Sequence, residues 1–267
     1  MMLRDPEPDM LRYYAEVFAE RDRLTVSASG RLEFLRTQEL LRRHLPAPPA
    51  RVLDVGGGPG AHARWLAAEG FSVHLIDPVA SHVAQSTALA PTIRATVGDA
   101  RDLPVPDGAA DAVLLLGPLY HLTNRTDRIT ALRNAMRAVR PGGPVFAAAI
   151  SRHASLLDHT IRGRLNEQTW PKIRRTMETG QHDPTMGFTT AYLHLPDELA
   201  AELTEAGLSE VDVYGVEGPA WQSLHLEPQD DFDRLLPMVL SCARHVERDP
   251  AMLAASQHLL AVGRRPG

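Results

Sequence analysis

The stretch RVLDVGGGPG, residues 51–60, decides the reading of this chain. Its first half is a short apolar run closed by an aspartate, the pattern of a strand buried on both faces. Its second half puts Gly56, Gly58 and Gly60 in a turn that leads into a helix from about Ala61 to Glu69. Glycines are placed where the backbone must turn left-handed, or approach a ligand with no Cβ in the way. Asp54 therefore stands at the carboxyl end of the first strand, just before a loop fit to touch something.

Working outward, the same texture repeats. FSVHLID (71–77) reads as a second strand, SHVAQSTALA (81–90) as a helix, IRATVGD (93–99) as a third strand and DAVLLLG (111–117) as a fourth. Ile129, Leu132, Met136 and Val139 recur at helical spacing over 126–139, PGG (141–143) stops that helix, and PVFAAAI (144–150) is a fifth strand. Strands alternating with helices at this spacing give a parallel sheet with right-handed crossovers, and ligands sit beyond its carboxyl edge. Residues 151–195 break the alternation and read as an inserted cap. It resumes over 196–267 with a helix at 196–206, EVDVYGV (210–216), a mostly helical stretch over 227–256, and HLLAVGRR (258–265). Before the sheet, residues 10–45 are amphipathic and helical, with Leu32, Leu35, Leu41 and Leu45 on one stripe and arginines elsewhere; PAPPA (46–50) links them to the core. The expected organisation is a helical lid (1–48), a ligand-binding core (49–150), the cap (151–195), and a C-terminal completion of the sheet (196–267).

Bulk properties exclude several classes. The 267 residues are 44% hydrophobic and 23% charged, with a net charge of −5, so no global basic field exists to hold a nucleic-acid backbone. The arginine-rich RTDRITALRNAMRAVR (125–140) lies on a helix whose other face is buried. The single cysteine excludes an intrachain disulfide and a cysteine metal cluster, and no histidine spacing points to a metal site. MMLRDPEPDMLRYY (1–14) lacks the apolar core of a signal peptide, and no uncharged run approaches the roughly 18–20 residues of a membrane span. A soluble, cytoplasmic protein is expected, without membrane or nucleic-acid partners, as a monomer or homodimer.

The glycine run alone also fits a dinucleotide fingerprint, with Ala61 as the third small residue. Two features oppose that fit: Asp54 would repel a pyrophosphate, and GDARDLP (98–104) after the third strand has no use at a nicotinamide site. Asp54 through Gly60, Asp77 closing HLID, GDARDLP, and VRPGG (139–143) before the fifth strand together resemble the class I S-adenosylmethionine-dependent methyltransferases of small-molecule type. The resemblance is strong over about 50–150 and looser beyond. It implies an α/β, Rossmann-like, doubly wound seven-stranded sheet, mostly parallel with the last strand antiparallel. It further implies S-adenosylmethionine as cofactor and S-adenosylhomocysteine as product. Asp54 would take the cofactor's amino group beside the backbone of Gly56, Gly58 and Gly60. Asp77, with Pro78 next to it, would accept both ribose hydroxyls. Asp99 and the backbone of Ala100 would meet the adenine, and Leu116 or Gly117 the methionyl part. By analogy with relatives whose N-terminal helix closes over the cofactor, Tyr14 and Arg36 would reach its carboxylate. Taken singly, each aspartate is equally an ordinary turn former or helix cap.

The acceptor side is read from position. In LLLGPLYHL (114–122), Tyr120 and His121 follow directly on the fourth strand, where the reactive methyl should sit. His121 is read either as a base or acceptor clamp or as a structural histidine, and Tyr120 as a wall of the methyl pocket. The cap and the resumed sheet add His153, His182 in GQHDP, Tyr192 and His194 in FTTAYLH, and Trp221 in EGPAW as acceptor contacts, each also readable as packing. GPLY (117–120) lacks the leading amide or acid of the Asn/Asp-Pro-Pro-Tyr segment used on DNA bases, so a small-molecule oxygen or nitrogen acceptor is expected. An S-adenosylmethionine-binding member with a non-methylating or regulatory role is the alternative.

Overall fold

The computed structural model describes Leu24, residues 27–225 and residues 232–267. Seven strands form one sheet: β1 (Arg51–Val55), β2 (Ser72–Asp77), β3 (Arg94–Val97), β4 (Ala112–Leu115), β5 (Pro144–Ile150), β8 (Ser209–Gly215) and β9 (His258–Arg264). Their order is β3-β2-β1-β4-β5-β9-β8, with only β9 antiparallel to its neighbours. This is the arrangement the sequence predicts. The strand order reverses between β1 and β4, which opens a crevice at the carboxyl ends of those two strands.

Helices cover both faces. On one, α1 (Ala28–His44) and α2 (Ala61–Ala68) pack Leu40, Leu41, Ala63 and Leu66 against Val52, Leu75, Leu114 and Phe146. On the other, α5 (Arg125–Ala138) and α8 (Pro196–Glu205) pack Ala131, Leu132, Leu199 and Leu203 against Val113, Leu115 and Val145. β4 lies between both layers and two strands, so all four residues of AVLL are fully buried, which explains its unbroken apolar run. Each such leucine contributes roughly 1.5–3 kcal/mol relative to exposure. α5 begins on Asn124, whose side chain accepts from Thr126 N–H at 2.8 Å, as an N-cap should. The helix α3 (Ala80–Leu89) follows β2, and a single helical turn α4 (Pro118–His121) follows β4 where only a turn was expected. Pro118 at its first position fits there because its missing N–H has no helical partner to lose.

The inserted segment folds as α6 (Ala154–Ile161), α7 (Trp170–Thr179) and a two-stranded hairpin of β6 (Gln181–His182) and β7 (Ala191–Tyr192). It returns to the sheet through the bridge of Ser151 with His194. A 3-10 stretch (Pro219–His225) and α9 (Phe232–Val246) form a third apolar cluster with Leu32 and Trp221. Four of the five arginines of 125–140 are held in ion pairs: Arg125 with Glu205, Arg128 with Glu202, Arg137 with Asp107 and Arg140 with Asp111. Among the described residues, no helix is long and apolar enough to cross a membrane.

Candidate active site

Register builds the site. Val55 pairs with Leu115, so Gly56 and Leu116 leave the sheet side by side. The glycine loop and the β4 turn then press together without room for side chains: a Cβ on Gly56 would meet Pro118 Cγ at 2.7 Å, and one on Gly117 would meet the Gly56 carbonyl oxygen at 3.0 Å. Gly56 (φ 69°) is also left-handed. An inner cavity opens on this junction. Asp54, Gly56, Gly58, Asp77, Pro78, Asp99, Ala100, Leu116, Gly117, Tyr120 and His121 all line it. Gly60 does not. It is the left-handed N-cap of α2 (φ 86°), and a Cβ there would strike Ser86 Oγ at 2.7 Å, so its role is to turn and pack the loop.

Three aspartates meet the cavity in different states. Asp54 is buried, and among the described residues neither carboxylate oxygen has a hydrogen-bond partner. Burial first, then the charge of Asp77, pushes its carboxyl up to about 7. Asp77 is fixed instead: one oxygen accepts from Gly58 N–H at 2.9 Å, the other from Val79 N–H at 2.9 Å and lies 3.3 Å from His82 Nδ1. It thereby ties the glycine loop to β2, and the oxygen that accepts from Gly58 keeps a second lone-pair site for a hydroxyl donor. Asp99 is neutralised by Arg101 in a bidentate pair at 3.0 and 2.6 Å.

A second cavity lies under the cap, lined from α6, the hairpin loop and the start of α1. Glu33, Tyr120 and His258 line both cavities and form the wall between them. Tyr120, His121, Phe188 and His182 make a chain of rings through that region, with neighbouring centroids 4.5, 5.9 and 6.2 Å apart. Burial drives His121 down to about 3, which leaves it a neutral and weakly basic ring, better suited to a wall than to a proton acceptor. His182 faces the cap cavity with both ring nitrogens buried and unpartnered, and burial holds it down to about 4.

Other expected site residues lie elsewhere. Trp221 is fully buried in the third apolar cluster, its indole N–H donating to Ala255 O at 3.0 Å, and lines neither cavity. His194 is fully buried against Glu202, and Tyr192 lies 3.7 Å from the Arg128 guanidinium; both belong to a polar lock between cap and core. His153 precedes α6 and lines neither cavity. Arg36, expected toward the cofactor, is fully buried and saturated by Glu39, Glu247 and the Val216 carbonyl. The helix turns Glu33 and Thr37 to the inner cavity in its place. Tyr14 lies outside the described residues.

Sequence reading missed His62, His82, Thr37 and Val216 on the inner cavity, and Glu33 and His258 on the shared wall. His82 was findable, since it stands five residues after Asp77 on the first turns of α3. His258 lies some two hundred residues from the glycine loop, and no spacing signals it.

Comparison with known proteins agrees with this geometry. Residues 52–143 match the family model described as a methyltransferase domain. A demethylmenaquinone methyltransferase from Beutenbergia cavernae is 34% identical over 104 residues, 39% of this chain and 42% of its own length. The chain thus spans less than half of that relative. A solved S-adenosylmethionine-dependent methyltransferase from Methanosarcina mazei superposes with a TM-score of 0.59 at 16% identity, covering 85% of this chain and 97% of its own. The [4+2]-cyclase SpnF superposes with a TM-score of 0.56 at 20% identity, covering 88% and 81%. The sheet topology is that of the class I S-adenosylmethionine-dependent methyltransferase fold, and residues 52–143 within it match the methyltransferase-domain family.

Proposed function

We propose that this protein transfers a methyl group to an oxygen or nitrogen of a small molecule seated in the cap cavity. The observation that carries this reading is Asp54: a buried, unpartnered carboxylate at the head of a glycine cradle is fit for a cationic amino group. What S-adenosylmethionine supplies when bound there is a methyl already activated on a sulfonium, open to in-line displacement. The protein's own task is then to orient two molecules and to exclude water. Asp54 holds the amino group of the methionyl part, beside Leu116 and Gly117. Asp77 accepts from the ribose hydroxyls while it keeps the loop in place. Asp99, steadied by Arg101, and Ala100 meet the base. Tyr120 and His121 wall the passage to the cap, and His182, neutral at pH 7, offers unpartnered ring nitrogens to a polar acceptor. The demethylmenaquinone methyltransferase among its relatives favours a quinone-like ring as the acceptor class. The absence of a free arginine stripe along α5 argues against a nucleic acid, and the expected setting is the cytoplasm.

The test is thermal stabilisation followed by label transfer. S-adenosylhomocysteine should raise the melting temperature by several degrees and NAD should leave it unchanged; the reverse pattern would sink the reading. Incubation with methyl-tritiated S-adenosylmethionine and a panel of phenols, catechols, hydroxyquinones and amines should then label at least one acceptor. Tight S-adenosylhomocysteine binding with no labelled product would place the protein with non-methylating members of the fold, of which the cyclase is a solved example.

A further inference from the structure

At the wall between the two cavities a buried carboxylate is paired with an imidazole. Glu217, the second residue after β8, is fully buried and lines neither cavity. One of its oxygens lies 2.5 Å from His258 Nδ1. The other accepts from Ser256 Oγ at 2.7 Å and from the His258 N–H at 2.9 Å. Ser256 Oγ is in turn fixed by the N–H groups of Glu217 and Gly218 at 2.9 and 3.3 Å. Nothing in this set is loosely held. Because Glu217 takes the Nδ1 edge and stays outside both cavities, the edge that His258 offers to them carries Nε2. A carboxylate at Nδ1 fixes the tautomer with its proton there and makes Nε2 the accepting nitrogen.

The same residues could suggest a cation, since Glu33, Glu217 and His258 lie within 4.8 Å of one another. The hydrogen bonds argue otherwise. Both Glu217 oxygens and Nδ1 are already used by one another and by Ser256, so an ion would have to dismantle the pair to bind.

We infer that His258, oriented by Glu217, is the group that takes the proton from the acceptor as it is methylated, and that the acceptor therefore carries an ionisable hydroxyl or N–H. The inference rests on the proposed methyl transfer and adds to it a named base and a substrate class. The balance is simple: the acceptor oxygen or nitrogen forms the new bond to carbon, the carbon–sulfur pair leaves with sulfur, and the acceptor's proton passes to Nε2. The position is right for this, since His258 is one of three residues that line both cavities. The other titratable groups that face it are Glu33 from α1, with an oxygen 3.8 Å from Nδ1, and Tyr120 from α4 on the same wall. Glu217 is a positioning residue and acts through the ring.

Two measurements test this. In the tritium assay, His258→Gln should lower kcat at least 100-fold while the S-adenosylhomocysteine thermal shift is kept. Glu217→Gln should lower kcat roughly tenfold and move the pH profile, with KM for the methyl donor unchanged; Glu217→Asp should recover part of the rate. Equal kcat in His258→Gln and wild type would overturn the inference and leave the methyl transfer standing. If wild type labels no acceptor, methyl transfer itself is the reading in trouble, and diethyl pyrocarbonate labelling decides the pair on its own. His258 should then be modified in wild type, with a pH midpoint that falls in Glu217→Gln as the neighbouring negative charge is lost. An unmodified His258, or an identical midpoint in the variant, would overturn the pair.

Discussion

Asp54 and Glu202 are both buried carboxylates, and their surroundings could hardly differ more. Glu202, on α8, receives Arg128 Nε and Nη2 at 3.0 and 2.7 Å and lies 3.3 Å from His194 Nε2. These partners outweigh its burial and hold its carboxyl down to about 2. Asp54, at the end of β1, has no hydrogen-bond partner among the described residues, and its burial pushes it up to about 7. A buried charge that is paired holds structure together; one left unpaired raises the folded state's free energy unless something else completes it. The first arrangement pins the cap's return strand to α5 and α8. The second is expected where a ligand brings the missing cation.

The largest effect should come from breaking the paired acid. Glu202→Gln strands Arg128 in the interior and should lose about 3–5 kcal/mol of stability in urea melts. The S-adenosylhomocysteine thermal shift should survive, because the lock lines neither cavity. Since the native carboxyl is lowered, its contribution is complete above pH 4.5 and fades as pH falls toward 2. A variant as stable as wild type at pH 7 would show that the lock carries no weight.

Asp54→Asn should act in the opposite direction. A raised native pKa means that the group's contribution is complete below pH 3.8 and is lost as pH rises through about 7. Removing the charge should therefore stabilise the ligand-free protein by roughly 2–3 kcal/mol at pH 8, the gain from the shift less the penalty of a buried amide. The same substitution should abolish the S-adenosylhomocysteine shift. A less stable variant that still binds would erase the contrast with Glu202.

The sheet was legible because it is written in local signals: apolar runs at β1, β2, β4 and β5, glycines after β1, PGG before β5. The three aspartates that line the inner cavity were legible for the same reason, each falling at or just past the end of a strand. Arg36 shows where this stops. Its helix was readable, but whether an arginine or its neighbours Glu33 and Thr37 face the cavity depends on Glu39, Glu247 and the Val216 carbonyl closing around it. The latter two come from the far end of the chain. His194 and Trp221 failed as site residues similarly, since their partners, Glu202 and Ala255, are set by tertiary packing. His258 was invisible because β9, the antiparallel strand, begins at the carboxyl edge of the others, where His258 pairs with Ile150.

The smallest expected effect concerns His121, which is partly buried where Asp54 is fully buried and does not share its charge. Its ring is driven to about 3 by desolvation alone, so it stays neutral while the free histidine protonates near 6.5. A lowered native pKa makes its contribution complete above 6.5 and erodes it as pH falls toward 3. His121→Phe keeps the ring and removes the titration, so the loss of stability between pH 7 and pH 5.5 should shrink by about 1 kcal/mol relative to wild type. His182 and Asp54 titrate in both proteins and cancel from the difference. Turnover should fall less than tenfold, as for a wall that keeps its shape, against the hundredfold expected at His258. A drop in kcat as large as that of His258→Gln would return the base to the position that follows β4. An unchanged pH dependence of stability would show instead that the His121 ring can reach water.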